Sequence, residues 1–177
     1  MAEQPTSRAW VGLGANLGEP LATLHAARDA LAQLPGTRLE AVSPLYRSSP
    51  VDADGPDYLN AVARLATELA PLALLHALQS IEQAAGRQRP YRNAPRTLDL
   101  DLLRYHDPAG VPVQMDSPQL SLPHPRWQQR AFVLLPLADI DPVLAGEAAT
   151  RVQLAQQQPL QRLPAAQQWA PWQRQRP

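Results

Sequence analysis

The chain has 177 residues, with 16 basic and 16 acidic side chains and therefore a formal net charge of zero at pH 7. Every basic side chain is arginine and cysteine is absent. These facts exclude a lysine-dependent phosphate-binding loop, lysine Schiff-base chemistry, disulfides and thiolate sites. Zero net charge also provides no overall field that would attract nucleic acid or an acidic membrane.

The composition fits one globular domain over residues 1–177, with a Gln- and Pro-rich C-terminal extension at 152–177. No apolar run reaches the roughly 18 residues of a membrane span. The polar start, residues 1–8, does not have the pattern of a secretory signal. We expect a cytoplasmic monomer that spans no membrane and binds no nucleic acid.

The first half of the chain alternates strand and helix patterns. A strand is predicted at 9–13, a Gly-rich turn at 14–20, and then a helix whose apolar residues recur at helical spacing from Leu21 to Leu34. A strand at 39–46 follows, and we place it at a sheet edge because Pro44 cannot donate a ladder hydrogen bond. Residues 59–65 alternate in polarity, which predicts a strand with one buried face.

The second half repeats the alternation. A helix is predicted between Pro71 and Gly86, then an Arg-rich loop at 87–95 and a strand at 97–104. A turn at 107–110 lets 111–115 pair back, and a helix follows at about 131–140. From Val152 we expect a short helix and a weakly ordered tail. The order βαββαβ predicts an α+β, ferredoxin-like fold: an antiparallel sheet with helices on one face, the other face open for a site, and an added C-terminal helical region.

Two aspartates in the predicted strand at 97–104 are the strongest chemical signal. Side chains alternate along a strand, so Leu98, Leu100 and Leu102 point into the core. Asp99 and Asp101 then point together to the open face. Two carboxylates about 6 Å apart repel by roughly 3 kcal/mol at an effective dielectric near 20. A hard cation turns that repulsion into attraction, although a solvated surface strand is the competing interpretation of the pair alone.

Four arginines precede the aspartate pair within ten residues: Arg87, Arg89, Arg92 and Arg96. Guanidinium groups match phosphate oxygens bidentately. An arginine cluster alone is more often a solvated loop. Cluster and carboxylate pair together favour a site for Mg²⁺-dependent phosphoryl transfer, which needs positive charge on both sides of the developing negative charge.

Further candidates lie elsewhere in the chain. His124 stands between two prolines, which stiffen its loop. Tyr58, Asn60 and Phe132 could sandwich and read a flat heterocycle, with core packing as the competing interpretation for the two rings. The Gly-rich stretch at 12–18 misses the dinucleotide-binding spacing by one residue and is interpreted as a tight turn with weak support for phosphate contact.

Taken in chain order, these segments resemble one family, the 6-hydroxymethyl-7,8-dihydropterin pyrophosphokinases. The resemblance rests on five segments between about residue 9 and residue 142: 12–18, 56–60, 86–89 with 95–101, 122–125, and 130–132. It implies transfer of pyrophosphate from ATP to 6-hydroxymethyl-7,8-dihydropterin, releasing AMP, in folate biosynthesis. ATP would be the co-substrate, and two Mg²⁺ would be bound by Asp99 and Asp101.

The resemblance also implies roles for individual residues. Arg87 and Arg96 would contact the phosphates and stabilise the transition state, together with the metal-binding Asp99 and Asp101. The nucleotide would be bound by Glu82, Arg89, Arg92, Leu102, Ser121, His124 and Arg130. The pterin would be bound by Ser48, Val51, Tyr58, Asn60 and Phe132.

Two other function classes remain as alternatives. One is a nucleotidyl transferase or cyclase-like enzyme with paired aspartates and Mg²⁺ on the same kind of sheet. The other is a non-enzymatic ferredoxin-like binding module, which for RNA usually needs stacking aromatics on central strands. The chain also departs from the family pattern in the loop after Gly86, where Asn93 stands at a position that is Trp in many members.

Overall fold

The computed structural model describes residues 5–50, 54–86 and 97–169. The strands are β1 Ser7–Ala15, β2 Thr37–Val42, β3 Tyr46–Ser48, β4 Tyr58–Thr67, β5 Asp99–His106, β6 Met115–Asp116, β7 Ser121–Leu122 and β8 Leu160–Arg162. The α-helices are α1 Pro20–Ala32, α2 Pro71–Ala84, α3 Ala131–Ile140 and α4 Ala148–Gln157. No helix among the described residues is both long and apolar enough to cross a membrane.

The main sheet confirms the ferredoxin-like prediction. Its strands lie in the order β5-β1-β4-β3-β8, β2 also pairs with β4, and every pairing is antiparallel. Strands β6 and β7 form a separate two-stranded ribbon. The central positions of β1 and β4 follow from their buried, apolar sequences, which need cover on both faces.

Helices α1 and α2 cover one face of the sheet and form the main core. Both begin at a proline, whose fixed φ suits the first helical turn. Leu24 and Leu31 of α1 and Leu74 and Leu78 of α2 are fully buried against the strands. The apolar spacing in the sequence therefore predicts the helix faces that build this layer.

Helix α3 covers part of the second face, so that face is open for a site only where α3 leaves it uncovered. Leu134 and Leu137 of α3 pack on Trp10, Val62 and Leu103 in a second buried cluster. Val62 is therefore buried, and β4 has two buried faces instead of the predicted one. The cluster escaped prediction because its members come from four distant segments with no common sequence period.

The predicted strand at 39–46 is two strands. Pairing of β2 with β4 ends at Val42 and β3 begins at Tyr46. Between them Pro44 has no amide hydrogen, and the Ser43 hydroxyl accepts a hydrogen bond from the Val62 amide instead. The break lets β3 turn toward the end of the sheet where a cavity lies.

The chain after β5 turns back as predicted. The Asp107 carboxylate accepts hydrogen bonds from the Ala109 and Val111 amides, which stabilises the turn. The Val113 amide then donates to the Tyr105 carbonyl at 2.9 Å. The following helix, α3, has the predicted bounds, residues 131–140.

The expectation of a weakly ordered tail was wrong for residues 160–169. Strand β8 pairs with β3 at the edge of the main sheet. Trp169 is only 5% exposed and belongs to the main core, and its indole N–H donates to the Ser43 carbonyl. These contacts are non-local, and the short polar sequence around them gives no local signal of order.

Candidate active site

A cavity of about 390 Å³ lies on the part of the second sheet face that α3 leaves uncovered. It opens where β1, β4 and β5 meet the loop after β3 and the start of α3. Its lining residues are Gly12, Leu13, Gly14, Ser48, Ser49, Pro50, Tyr58, Asn60, Ala61, Asp99, Asp101, His124, Arg130, Phe132 and Val133. The structure thus brings together eight residues predicted from sequence: Ser48, Tyr58, Asn60, Asp99, Asp101, His124, Arg130 and Phe132.

Asp99 and Asp101 lie on the cavity face of β5, as the alternation predicts. Both carboxylates are partly exposed, while Leu98 and Leu100 beside them are buried. The Arg130 guanidinium lies 3.9 Å from the Asp101 carboxylate. Both partners are partly exposed, so solvent weakens this ion pair.

Two glycines form the cavity floor between the aspartates and β4. Gly12 pairs with Asp101 and Gly14 with Asp99 across β1 and β5. A Cβ at Gly14 would lie 3.7 Å from the Asn60 Oδ1, on the same side as the cavity. Because glycine has no side chain, the sheet surface at Gly12 and Gly14 leaves room for a flat ligand. The sequence does not predict this floor, because it depends on the register of β1 against β4 and β5.

Asn60 and Ser48 form a polar wall at the β3–β4 side. The Asn60 amide donates to the Ser48 hydroxyl at 2.8 Å. Asn60 is only 4% exposed, so its orientation is fixed by this contact and by packing. Its side-chain nitrogen also donates to the Tyr58 carbonyl at 3.5 Å, and its Oδ1 lies beside the glycine floor, where it can accept a hydrogen bond from the edge of a heterocycle.

Phe132 and Arg130 face the cavity from the start of α3. The Arg130 guanidinium carbon lies 5.5 Å from the centre of the Phe132 ring, within cation–π distance. Phe132 is partly exposed and joins only the margin of the second buried cluster. An aromatic ring left partly open at a cavity provides a stacking surface for a planar ligand.

His124 is held by one hydrogen bond of its backbone and one of its ring. Its amide donates to the Leu103 carbonyl, and its Nδ1 accepts from the Arg126 amide. Burial lowers the pKa of His124; Arg130 and Arg126 lower it further, and Asp101 acts in the opposite direction. The ring is therefore neutral near pH 7. With Nδ1 used as an acceptor, the proton lies on Nε2, which can donate to an anionic ligand.

Three predicted nucleotide residues do not line the cavity. Glu82 is 4% exposed on α2, and its carboxylate accepts a hydrogen bond from the Leu100 amide at 2.9 Å. It thus supports β5 between the two aspartates from the opposite face. The Leu102 side chain packs in the main core, and Ser121 lies on β7. Nucleotide contact by these three residues stays a prediction.

Five predicted residues lie outside the described part of the chain: Val51, Arg87, Arg89, Arg92 and Arg96. The described part that follows begins at Thr97, directly before Asp99. Chain connectivity therefore leads from the arginine-rich segment into the strand that carries the aspartate pair.

The donor set at the cavity suits Mg²⁺ better than a transition metal. Among residues 5–50, 54–86 and 97–169 no group of three or more His, Asp or Glu side chains could hold a metal ion by itself. Two neighbouring carboxylates are instead what Mg²⁺ uses when substrate phosphates supply further oxygen ligands. The residues present therefore fit an ion that binds together with a nucleotide.

Comparisons with known proteins identify the family. The family model described as 7,8-dihydro-6-hydroxymethylpterin-pyrophosphokinase (HPPK) matches residues 10–142. A protein from Pseudomonas aeruginosa is 53% identical over 138 residues, covering 77% of this chain and 82% of its own. A protein from Haemophilus influenzae is 44% identical over 133 residues, covering 75% and 80%. Both are named 2-amino-4-hydroxy-6-hydroxymethyldihydropteridine pyrophosphokinase.

Solved structures share the fold. The wild-type HPPK-DHPS of Plasmodium falciparum matches with a TM-score of 0.58 at 14% identity, covering 77% of this chain. An HPPK-DHPS in complex with substrates also matches with a TM-score of 0.58, at 13% identity and 86% coverage. The chain spans only 38% and 43% of those longer chains. The family match, the identities and the fold agree: this chain belongs to the 7,8-dihydro-6-hydroxymethylpterin-pyrophosphokinase family.

Proposed function

We propose that this protein transfers pyrophosphate from ATP to 6-hydroxymethyl-7,8-dihydropterin, forming AMP and the pterin diphosphate in folate biosynthesis. One observation carries the proposal beyond family membership. A single cavity places the carboxylate pair, Asp99 and Asp101, opposite a wall formed by Asn60 and Phe132. That arrangement suits one ligand with phosphates and another with a flat polar ring.

The pterin is assigned to the side of the cavity near β3 and α3. Asn60, held by Ser48, is positioned to hydrogen-bond the edge of the ring. Phe132 and Tyr58 supply aromatic surface on which the ring can stack. A planar heterocycle held in this way would direct its hydroxymethyl group toward the carboxylates across the glycine floor, which is the geometry that transfer requires.

The nucleotide phosphates are assigned to the β5 side. Asp99 and Asp101 would bind two Mg²⁺, which supply charge neutralisation for the phosphates and acidify the attacking alcohol. His124, neutral with its proton on Nε2, and Arg130 would contact phosphate oxygens. Four arginines are proposed to add positive charge around the phosphates: Arg87, Arg89, Arg92 and Arg96. Val51 is proposed to contact the pterin. Both assignments follow from the positions of these residues in the family motifs.

Two further assignments concern the protein as a whole: we propose that it is a monomer and that it acts in the cytoplasm. The nucleotidyl-transferase alternative is not favoured, because it leaves the Asn60–Ser48 pair and Phe132 without a ligand. A non-enzymatic binding module would not account for the paired carboxylates, Asp99 and Asp101, at the cavity.

AMP release tests the proposal. The protein is incubated with ATP and Mg²⁺, with and without 6-hydroxymethyl-7,8-dihydropterin, and the nucleotides are separated by chromatography. We expect AMP to form only when the pterin is present. Formation of ADP, or AMP at the same rate without pterin, would rule out pyrophosphoryl transfer to this substrate.

A further inference from the structure

The C-terminal segment 158–169 lies against the outer side of both pterin walls, although it falls beyond the residues matched by the family model. One wall is β3, which is only three residues long and ends at Ser48. The other is the start of α3, with Arg130 and Phe132. Such short elements hold their position weakly by themselves, so the contacts that brace them matter for the cavity.

Gln168 acts on the first wall as a substitute strand partner. Its side-chain N–H donates to the Leu45 carbonyl at 2.9 Å, and its side-chain oxygen accepts from the Leu45 amide at 2.6 Å. The same side-chain nitrogen, which has two hydrogens, also donates to the Leu163 carbonyl at 2.9 Å. Leu45 immediately precedes β3, so this amide fixes the backbone at the point where the chain leaves Pro44.

Strand β8 continues this bracing along β3. Arg162 pairs with Tyr46 and Leu160 with Ser48 in antiparallel register. The Leu163 amide donates to the Leu45 carbonyl at 3.0 Å. Ser48 thereby sits between β8 on one side and Tyr58 on the other, and its hydroxyl is positioned to hold the Asn60 amide.

Gln158 acts in the same way on the second wall. Its side-chain oxygen accepts from the Ala131 amide at 3.0 Å, and its side-chain N–H donates to the Gln129 carbonyl at 2.8 Å. These two backbone groups flank Arg130. The Gln158 amide therefore fixes the residue that faces Asp101 and the first turn of α3, which carries Phe132.

We propose that Gln158 and Gln168 are positioning residues for substrate recognition, each clamping one wall of the cavity through its side-chain amide. The inference rests on the proposed function, because it assigns the walls to the pterin and to the nucleotide. Gln168 controls the Ser48–Asn60 wall and hence the pterin alone. Gln158 controls Arg130 and Phe132, and hence both the nucleotide and the pterin.

Steady-state kinetics of four full-length variants test this. Gln168→Ala and Gln158→Ala are compared with Gln167→Ala and Gln157→Ala, which alter exposed neighbours of the same residue type. We expect Gln168→Ala to raise the KM for pterin about tenfold, the loss expected from one displaced hydrogen bond, with the KM for ATP within about twofold of wild type. Gln158→Ala should raise both KM values, and the two controls should match wild type.

Two further variants separate positioning from folding. Gln168→Glu and Gln158→Glu keep the side-chain length and remove the donor, and should reproduce the respective KM patterns in protein that remains folded at the assay temperature. Equal shifts for both substrates in the Gln168 variants, unchanged KM values in all variants, or loss of folding in both the Ala and Glu variants would each overturn the inference. A wild-type protein without pterin-dependent AMP formation would instead overturn the proposed function.

Discussion

The strand holds the two carboxylates of β5 side by side against their mutual repulsion. Asp99 and Asp101 alternate with buried leucines, so the main core fixes their direction. The ion pair between Arg130 and Asp101 is partly exposed and contributes little to folding. At this scale the sequence is informative, because strand alternation predicts which side chains share a face.

Replacement of Asp101 by Asn removes one negative charge while keeping the shape. We expect kcat/KM to fall by about 10²–10³, as for loss of one group that stabilises transition-state charge, and the free energy of unfolding to change by less than about 1 kcal/mol. Enzyme assays with Mg²⁺ titration and urea unfolding measure both quantities. Asp116→Asn, at an exposed carboxylate of β6, is the control. Normal turnover of the Asp101 variant would remove Asp101 from the metal site.

Phe132→Ala removes the stacking surface at the start of α3. We expect pterin binding to weaken by about 1–3 kcal/mol, the range found for stacking of bases on aromatic side chains, and ATP binding to weaken less. Phe132→Tyr keeps the ring and should bind pterin nearly as well as wild type. Titration calorimetry with each ligand measures the difference. Equal losses for both ligands in the Ala variant would indicate that Phe132 serves folding.

At the scale of elements, strand β1 provides the glycine floor of the cavity. Gly12 and Gly14 were visible in the sequence, yet their importance depends on their register with Asp101 and Asp99, which only the folded sheet supplies. Strand β8 is similar, since three residues with two exposed polar side chains carry no local signal of a strand. Element positions that depend on pairing with distant segments could not be predicted.

Gly14→Val fills the floor of the cavity. A Cβ at this position meets only ordinary contacts, and β-branched residues favour strands, so we expect the melting temperature to stay within a few degrees of wild type. The added methyl groups occupy the space between Asp99 and Asn60, and kcat/KM should fall more than tenfold. Gly14→Ala should show a much smaller loss. Full activity of the Val variant would show that the ligand does not use this floor.

Glu40 of β2 joins three strands through arginines. Its carboxylate lies 3.1 Å from both Arg8 of β1 and Arg64 of β4, and 3.6 Å from Arg38 of β2. Burial tends to raise the pKa of Glu40, but the charges of Arg8 and Arg64 and their hydrogen bonds outweigh burial, and the pKa lies below its usual 4.5. The ionised form therefore stabilises the folded protein.

Glu40→Gln should lower the free energy of unfolding by about 1–3 kcal/mol near pH 7, the range for hydrogen bonds to charged groups. A lowered pKa means that this contribution is fully present above pH 4.5 and is lost as the pH falls through the folded-state value. Denaturant unfolding of wild type and variant from pH 7 to pH 3 measures the difference. A difference that stays constant down to pH 3 would contradict the assignment.

At the scale of the whole molecule, the C-terminal segment closes the fold onto its first half. Trp169 reaches α1, where the ring of His25 lies 5.8 Å from it and the Arg28 guanidinium 5.4 Å. The helices and the βαββαβ order could be predicted because prolines and leucine spacing are local signals. The packing of Trp169 on α1 and the covering of the second sheet face by α3 could not be predicted, because both depend on contacts between distant segments.

Trp169→Ala should lower the free energy of unfolding by about 3–5 kcal/mol, the usual cost of truncating a buried aromatic side chain. Trp169→Phe keeps most of the packing and loses the hydrogen bond to the Ser43 carbonyl, so its cost should be about 1–2 kcal/mol. Urea unfolding measures both. If both variants were as stable as wild type, residues 160–169 would not unfold cooperatively with the rest of the protein.

Transfer of both terminal phosphorus atoms of ATP to the pterin is the central claim, and phosphorus NMR of the complete reaction tests it most directly. The protein, ATP, Mg²⁺ and 6-hydroxymethyl-7,8-dihydropterin are followed in time, with the Asp101→Asn variant in parallel. The account predicts equal amounts of AMP and a pterin diphosphate for wild type, and at most about one hundredth of that rate for the variant. ADP with a pterin monophosphate, or AMP with free pyrophosphate, would contradict it.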